Sequence, residues 1–538
     1  MPSSLGSQVQ DDSGPHQSIA RISAAITAFV GRTLRGPANR PVVVGSFSEF
    51  SQVFGGLWQP SLLGYAVEQY FDNGGREAII VRVVNGARAA TLCVPAGSEQ
   101  LVLRALRPGT REFLRACVDY DNIPNDNGEE FNLTIQRVRT QGTLRVEDQE
   151  THRALSVRPG AAAHLEDALA CSELVRLVGA APASRPQRTL DPASGLATGY
   201  VYSNSDGDDG GPLTDYDLIG SPSEKTGLFA LDSHDFSFLV IPPLSRERDV
   251  GLSTLVVAAR YCKRRQALLI VDPPLQWHTA EEALGSVRDW GFSSEDAFMY
   301  FPRILALDKL RGRFETFAPC GAVAGMLSRS DLLLPQWALG ETEAPVLRPG
   351  YRPSCLVPEH ARDRLAALGI NVIHGLRSAV RATQPPRTLA VGNAGSADWQ
   401  YLASRRFALS VVRSLERGTR WTALAEARGD LCPTVEAQVR EFFEVLRRDG
   451  AFGDRSAAEA YFVVCERRAP AEAAVGARRF ELIVGFAASR NGEYHCYRIT
   501  QTPASSEIRA VTVNRLKYQQ YSPGEIEWVD RLADQLQP

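Results

Sequence analysis

Apolar positions divide the chain into stretches of different period. Pro41–Gly45 (PVVVG) and Ala78–Val84 (AIIVRVV) are short, β-branched and almost continuously apolar, as strands buried on both faces must be. Between them, Leu62–Phe71 repeats its apolar residues at helical spacing and stops at Asn73-Gly74-Gly75, a helix-ending signal. Strand, helix and strand in this order predict a βαβ unit with parallel pairing. From residue 89 to 204 the runs shorten and alternate (LCVPAG, LVLRAL, FNLTIQRV, TLRVED), with Pro, Gly and Asn between them. This predicts a mostly antiparallel β domain inserted into the α/β domain. The α/β pattern resumes near Tyr216. Phe236–Ile241 ends at Pro242-Pro243 and Ala267–Val271 at Asp272-Pro273-Pro274, with Leu255–Arg264 as the helix between them and Ala297–Phe301 as a further strand. A doubly wound sheet covered on both faces needs such strands.

Beyond about Glu359 the pattern becomes α+β. Ala397–Gly418 is a long amphipathic helix carrying Trp399, Leu402, Phe407, Val411 and Leu415, and Thr434–Asp449 is a second, with Val435, Val439, Phe442 and Leu446. Strand-like runs follow at Ala460–Cys465, Phe480–Phe486 and Glu493–Gln501. The expected fold class is therefore α/β and multidomain. Residues 1–17 form an extended N-terminal arm, and 18–88 with 205–358 a discontinuous α/β domain. Residues 89–204 form the inserted β domain, 359–502 a C-terminal α+β domain, and 503–538 a polar extension with a helical pattern at Ile526–Leu536. The 538 residues exceed one core, and length alone sets a prior of roughly three to four domains.

Charge narrows the function classes. Lys and Arg number 59 against 62 Asp and Glu, a net charge of -3, so no electrostatic footprint for nucleic acid or an anionic membrane is expected. The longest apolar runs fall far short of the roughly 18 residues that span a bilayer. The N-terminus lacks a secretory pattern, and a cytosolic chain is expected. Nine scattered cysteines without a paired spacing read as small hydrophobes in a reducing compartment. Lys225, Lys263, Lys309 and Lys517 are the only lysines. The arginine excess fits either genome composition or many bidentate contacts at protein interfaces.

Three chemistries are testable in the sequence. Asp272 at the carboxyl edge of the sheet, His278, and Ser221, Ser223 or Ser245 are the material of a hydrolase triad, but no G-x-S-x-G elbow is present. Gly220–Thr226 (GSPSEKT) has Glu224 where a phosphate loop needs glycine, and Pro222 removes a donor. Asn204, Asp206 and Asp208 alternate like calcium ligands, but Asp209 replaces the turn glycine and Asp215 the closing glutamate. No catalytic residue, metal or cofactor is expected.

Ile26–Arg82 carries AITAFVGRTLRGPANRPVVVGSFSEFSQVFGG followed by LLGYAVEQYFDNGGREAIIVRVV. Thr27, Phe29, Val30, Gly31, Gly36, Pro37, Asn39 and Pro41, then Phe50, Phe54, Gly55, Gly56, Phe71, Asn73, Gly74 and Gly75, resemble the N-terminal signature of contractile tail sheath proteins. KTGLFAL at Lys225–Leu231, YCKRRQALLIVDPP at Tyr261–Pro274, PCGAVAGMLSRSD at Pro319–Asp331, GINVIHG at Gly369–Gly375 and EAYFVVCE at Glu459–Glu466 follow in the family's order. The chain departs from the usual run at Leu334–Gly340, and continues to Pro538 beyond the Ile499–Gln501 strand where such sheaths often end. The resemblance extends to sheaths of phage tails, R-type bacteriocins and phage-like injection systems.

That resemblance implies a subtilisin-like α/β core without catalysis. It implies a structural subunit that assembles with itself in six-fold rings around an inner tube protein and contracts from a metastable extended state. The tube would then be driven through a target envelope. Baseplate and terminator or cap proteins are the further partners, with no nucleic acid and no direct membrane insertion. Assembly in a bacterial cytoplasm into a tail-like particle is implied as well. The alternatives are an α/β hydrolase-like enzyme with accessory domains, or a baseplate component of the same machine. Strands joining subunits are expected at His16, Ser18, Ile19 and Arg21, and at Tyr494, His495, Tyr497 and Ile499. The charged face Glu436, Arg440, Glu444, Arg447 and Arg448 is the expected contact with the inner tube, while 89–204 faces outward.

Overall fold

The computed structural model describes residues 18–22, 26–111, 113–123, 128–141, 143–191, 199–204, 207–338, 346–373, 385–390, 398–423, 431–466, 480–488 and 495–511. Its centre is a seven-stranded sheet built from β1 (Thr27–Gly31), β2 (Val42–Val44), β3 (Ala78–Arg82), β4 (Phe238–Val240), β5 (Leu268–Val271), β6 (Ala297–Phe301) and β7 (Ile370–Val372). The spatial order is β7-β6-β5-β4-β1-β3-β2. Strands β3, β1, β4, β5, β6 and β7 run parallel. The continuous apolar runs have a direct cause. Ala28, Val30, Ile79, Val81, Leu239, Leu269 and Val271 face one core, while Phe29, Ile80, Phe238, Val240, Leu268 and Ile270 face the other.

One expectation is corrected here. β2 and β3 pair antiparallel, and the parallel partner of β3 is β1, a strand that the apolar pattern had not marked. Two helices, Phe47–Phe54 and α1 (Leu63–Asp72), lie between β2 and β3, so the connection is not the single crossover that imposes parallel pairing. α1 packs against α3 (Cys320–Leu333) on one face, and α2 (Leu252–Arg265) covers the other. The α1–α3 contact depends on two glycines. A Cβ at Gly321 would meet the Ala66 carbonyl oxygen at 2.0 Å, and one at Gly325 the Tyr70 carbonyl oxygen at 2.2 Å. The GAVAG run is thus a close helix approach written in sequence.

The 89–204 region forms a three-stranded and a four-stranded sheet, antiparallel throughout, around Leu92, Leu103, Val118, Phe131, Leu133 and Leu155. In the C-terminal part, α4 (Leu402–Gly418) and α5 (Cys432–Arg448) cover a sheet of β8 (Tyr461–Glu466), β9 (Phe480–Phe486), β10 (His495–Gln501) and β11 (Ser506–Val511). All its pairs are antiparallel, in the order β8-β9-β10-β11. β11 lies in the stretch read as an extension, so the sheet runs past residue 502. The helical pattern at Ile526–Leu536 lies outside the described residues. The reading of all nine cysteines as unpaired also fails, because Cys432 and Cys465 are joined. Their 33-residue separation follows no motif, and only the docking of α5 on β8 brings them together.

α4 is joined to the central sheet and to α3 by buried charge. Arg405 is bonded to Asp296 and Arg406 to Asp331, with side-chain exposures of 6%, 3%, 2% and 9% in that order. Arg413 donates to Ser237 Oγ at 3.1 Å. Removing one member of such a pair strands a charge away from water. Arg405→Ala is expected to cost about 3–5 kcal/mol in urea unfolding, and the double variant Arg405→Met, Asp296→Leu distinctly less.

A half-buried carboxyl at the sheet edge gives a pH signature. Asp272 ends β5, and its Oδ1 accepts the Cys320 N–H of α3 at 2.9 Å, while Oδ2 is shielded from water without a partner. Burial pushes this carboxyl from 3.8 up to about 6, against the opposing hydrogen bonds from Cys320. The folded chain therefore holds the proton more tightly than the unfolded one. The stability that this proton confers is full below about pH 4 and is lost as pH rises through about 6. Between pH 4 and 7, the stability of Asp272→Asn relative to the native chain is expected to rise by about 2 kcal/mol, measured as the change in urea midpoint.

Candidate functional site

The groups that would make a triad have other partners. Ser221 and Ser223 share a hydrogen bond at 2.9 Å, and Ser245 donates to Glu247 at 3.2 Å. His278 is exposed before a short helix, its N–H bonded to Glu282 at 2.7 Å. A cavity of about 190 Å³ does lie at the carboxyl ends of β4 and β5, lined by Ile241, Val271, Asp272 and Trp290 among others. Asp249 in its wall is held by Arg303 at 2.5 Å and by the Leu275 N–H at 2.6 Å. The GSPSEKT turn is closed on itself, with Ser221 N–H bonded to Thr226 Oγ1 and Thr226 N–H to the Ser221 carbonyl. Asn204 accepts from Cys93 N–H, Asp208 from Gly210 N–H, Asp209 from Thr110 and Asp215 from Gly251 and Thr254. Asp206 lies outside the described residues. Among the described residues no group of His, Cys, Asp and Glu is arranged for a metal, and no helix is long and apolar enough to cross a membrane.

What the C-terminal unit does present is surface for backbone pairing. In the segment before β1, Ile19 is buried among Phe407, Val411 and Leu415 of α4 and packs on Gly418. Arg21 lies over the Trp337 ring at 4.8 Å, and Ile22 N–H donates to Ser414 Oγ at 3.0 Å. Ser18 is exposed, and His16 lies outside the described residues. Residues 18–22 thus dock on this chain's own helix without belonging to a strand.

The second segment expected to link subunits is an interior strand of this chain's own sheet. β10, which carries His495, Tyr497 and Ile499, is paired on both sides within the chain, by β9 and β11. Both its ladders are therefore occupied. Tyr497 and Ile499 point into the core, and His495 stacks on Trp399 with 3.8 Å between ring centres. Tyr494 lies outside the described residues. Among the described strands, β11 has no partner on its outer side, and such an edge is a template for a further strand.

The charged face of α5 is not simply a solvated stripe. Glu436 accepts the Cys465 N–H at 3.2 Å, and Arg440 donates to the Val463 carbonyl at 3.4 Å. Glu444 accepts from Tyr461 Oη at 2.8 Å and from Arg447 at 3.0 Å. Tyr461 and Arg447 hold the Glu444 carboxyl below its ordinary range, and burial pushes the Tyr461 phenol up to about 12. Arg448 is exposed and donates to the Glu444 carbonyl. Sequence spacing marked these residues as one face, but the strand beneath three of them is visible only in the fold.

No protein-family model and no curated protein matches the chain. Among solved structures, the sheath tail protein of Listeria innocua superposes with a TM-score of 0.56, covering 92% of this chain and 96% of that one at 11% identity. The sheath tail protein of Desulfitobacterium hafniense covers 91% and 96%, with a TM-score of 0.49 and 10% identity. The anti-feeding prophage helical sheath in its contracted state covers 87% and 90%, with a TM-score of 0.46 and 14% identity. At such identities the likeness is one of fold. Over almost its whole length, this chain has the fold of a sheath tail protein.

Proposed function

We propose that the chain is the structural subunit of a contractile sheath. It polymerises into a helical tube of stacked six-fold rings around an inner tube protein, between a baseplate and a terminal cap. Contraction from a metastable extended lattice drives the inner tube through a target envelope. The observation that carries this reading is the end-to-end agreement in fold with the Listeria sheath tail protein. A hydrolase is disfavoured because Ser221, Ser223 and Ser245 are bonded away from His278. In this reading the central sheet is a subtilisin-like core used as a rigid block. The 89–204 sheets face outward, the α4–α5 unit faces the tube, and subunits are linked through the N-terminal arm and the outer edge of β11. Assembly in the cytoplasm of a bacterium completes the picture.

Negative-stain microscopy of the purified chain is the direct test. Long tubes of contracted form are expected from the chain alone, whereas uniform monomers, or extended tubes stable without tube protein, would overturn the reading. Because Ile19 is part of this chain's own core, the arm is best tested by deleting residues 1–17. That variant is expected to melt like the native chain yet fail to form tubes. Ile19→Ala is expected to cost about 1–3 kcal/mol in thermal unfolding, the loss of a buried side chain at a docked segment. In the presence of tube protein, Arg448→Glu is expected to lower the yield of extended particles while leaving empty contracted tubes; unchanged loading would remove Arg448 from the tube contact.

A further inference from the structure

Four residues of α5 at a spacing of four follow β8 along its length. Cys432 is joined to Cys465, Glu436 accepts the Cys465 N–H, Arg440 donates to the Val463 carbonyl, and Glu444 receives the Tyr461 hydroxyl. The geometry explains the register. Four helical residues rise about 6 Å, and two strand residues about 6.8 Å, so Glu436, Arg440 and Glu444 meet the alternate strand residues Cys465, Val463 and Tyr461, while Cys432 reaches Cys465 from one turn earlier. β8 is the end strand of its sheet, and its other side is paired with β9. The stripe therefore covers backbone groups that would otherwise template a further strand.

The four contacts are not equivalent. Glu436, Arg440 and Glu444 keep substantial exposure, with side-chain values of 33%, 52% and 31%, and polar contacts at such sites are weak and screened by salt. Cys432 and Cys465 are buried, at 7% and 4%, with 5.6 Å between their Cα atoms. The covalent member is thus the only one of the four that water and salt do not weaken.

We propose that the Cys432–Cys465 bond is a redox-dependent staple that holds α5 over the outer edge of β8 and closes that edge to strand addition by a second copy of this chain. The staple closes by thiol–disulfide exchange with a small-molecule disulfide. One protein thiolate attacks it, giving a mixed disulfide and releasing one thiol. The second protein thiolate then displaces the other, so a dithiol and a disulfide become a protein disulfide and two small thiols. In a reducing pool the stripe is held by its three polar contacts and by the packing of Val435, Val439 and Phe443 on the sheet, and in an oxidising medium it is also locked covalently. The inference stands on the fold and does not require the sheath reading.

The full chain equilibrated with glutathione disulfide or with reduced glutathione, then denatured and alkylated, gives the first readout. After the oxidised incubation peptide mapping is expected to find residues 432 and 465 joined to each other, with glutathione adducts on exposed thiols such as Cys171 counted apart, and after the reduced one all nine cysteines alkylated. Native-state hydrogen exchange gives the second. Amides of β8 are expected to exchange at least about tenfold faster in the reduced chain. Cys432→Ser should show the fast rate in both media, and Cys171→Ser, at an exposed free thiol, should behave like the native chain. Nine alkylated cysteines after oxidation, a bond between a different pair, or β8 exchange indifferent to reduction would each overturn the proposal.

Discussion

The structure turns on α4, which belongs to two cores at once. Its Leu402 and Leu409 pack beneath the central sheet, while Phe407, Val411 and Leu415 pack against the C-terminal sheet. Apolar contact alone would let such a joint slide, because hydrophobic burial has no direction. Arg405, Arg406 and Arg413 remove that freedom by reaching Asp296, Asp331 and Ser237 with fixed geometry. Ile19 and Ile22 then dock on the same helix, so the start of the chain is referred to the same frame.

This arrangement gives the arginine-rich composition a structural use. Planar forks on Arg405, Arg406, Arg303 and Arg246 reach buried or half-buried carboxylates, and Arg246 also lies over Phe317 and Tyr65. An ammonium offers neither the fork nor the stacking face. Choosing between genome composition and interfaces, as composition alone invited, overlooked contacts inside the chain.

Local pattern carried the parts of the fold that are local. β4, β5 and β6 were legible because burial on both faces leaves no polar position to interrupt the run, and α4 and α5 because their apolar residues recur at helical spacing. β1 was hidden because its five residues begin with Thr27 and end with Gly31, which dilute the apolar run. β11 was hidden because its pattern is polar on the open side, with Glu507 and Arg509 exposed and paired at 2.7 Å. The direction of β2, the Cys432–Cys465 bond and the double pairing of β10 are properties of distant segments, and no window of sequence contains them. Of the residues expected in linking strands, Ile19 and Ile499 lie in this chain's own core, a burial that their local sequence does not reveal.

The same sheet has two edges treated in opposite ways, and that asymmetry bears on assembly. At β8, Glu436, Arg440 and the Cys432 bond occupy the outer side, so nothing extended can lie there without first displacing a helix. At β11 the outer side has no strand partner among the described residues, and the exposed Glu507 and Arg509 are charged. A strand edge guarded by charge resists indiscriminate stacking but accepts a partner of matching register, since backbone hydrogen bonds ask only for an extended segment. One closed and one open edge give a sheet that can be extended in a single direction.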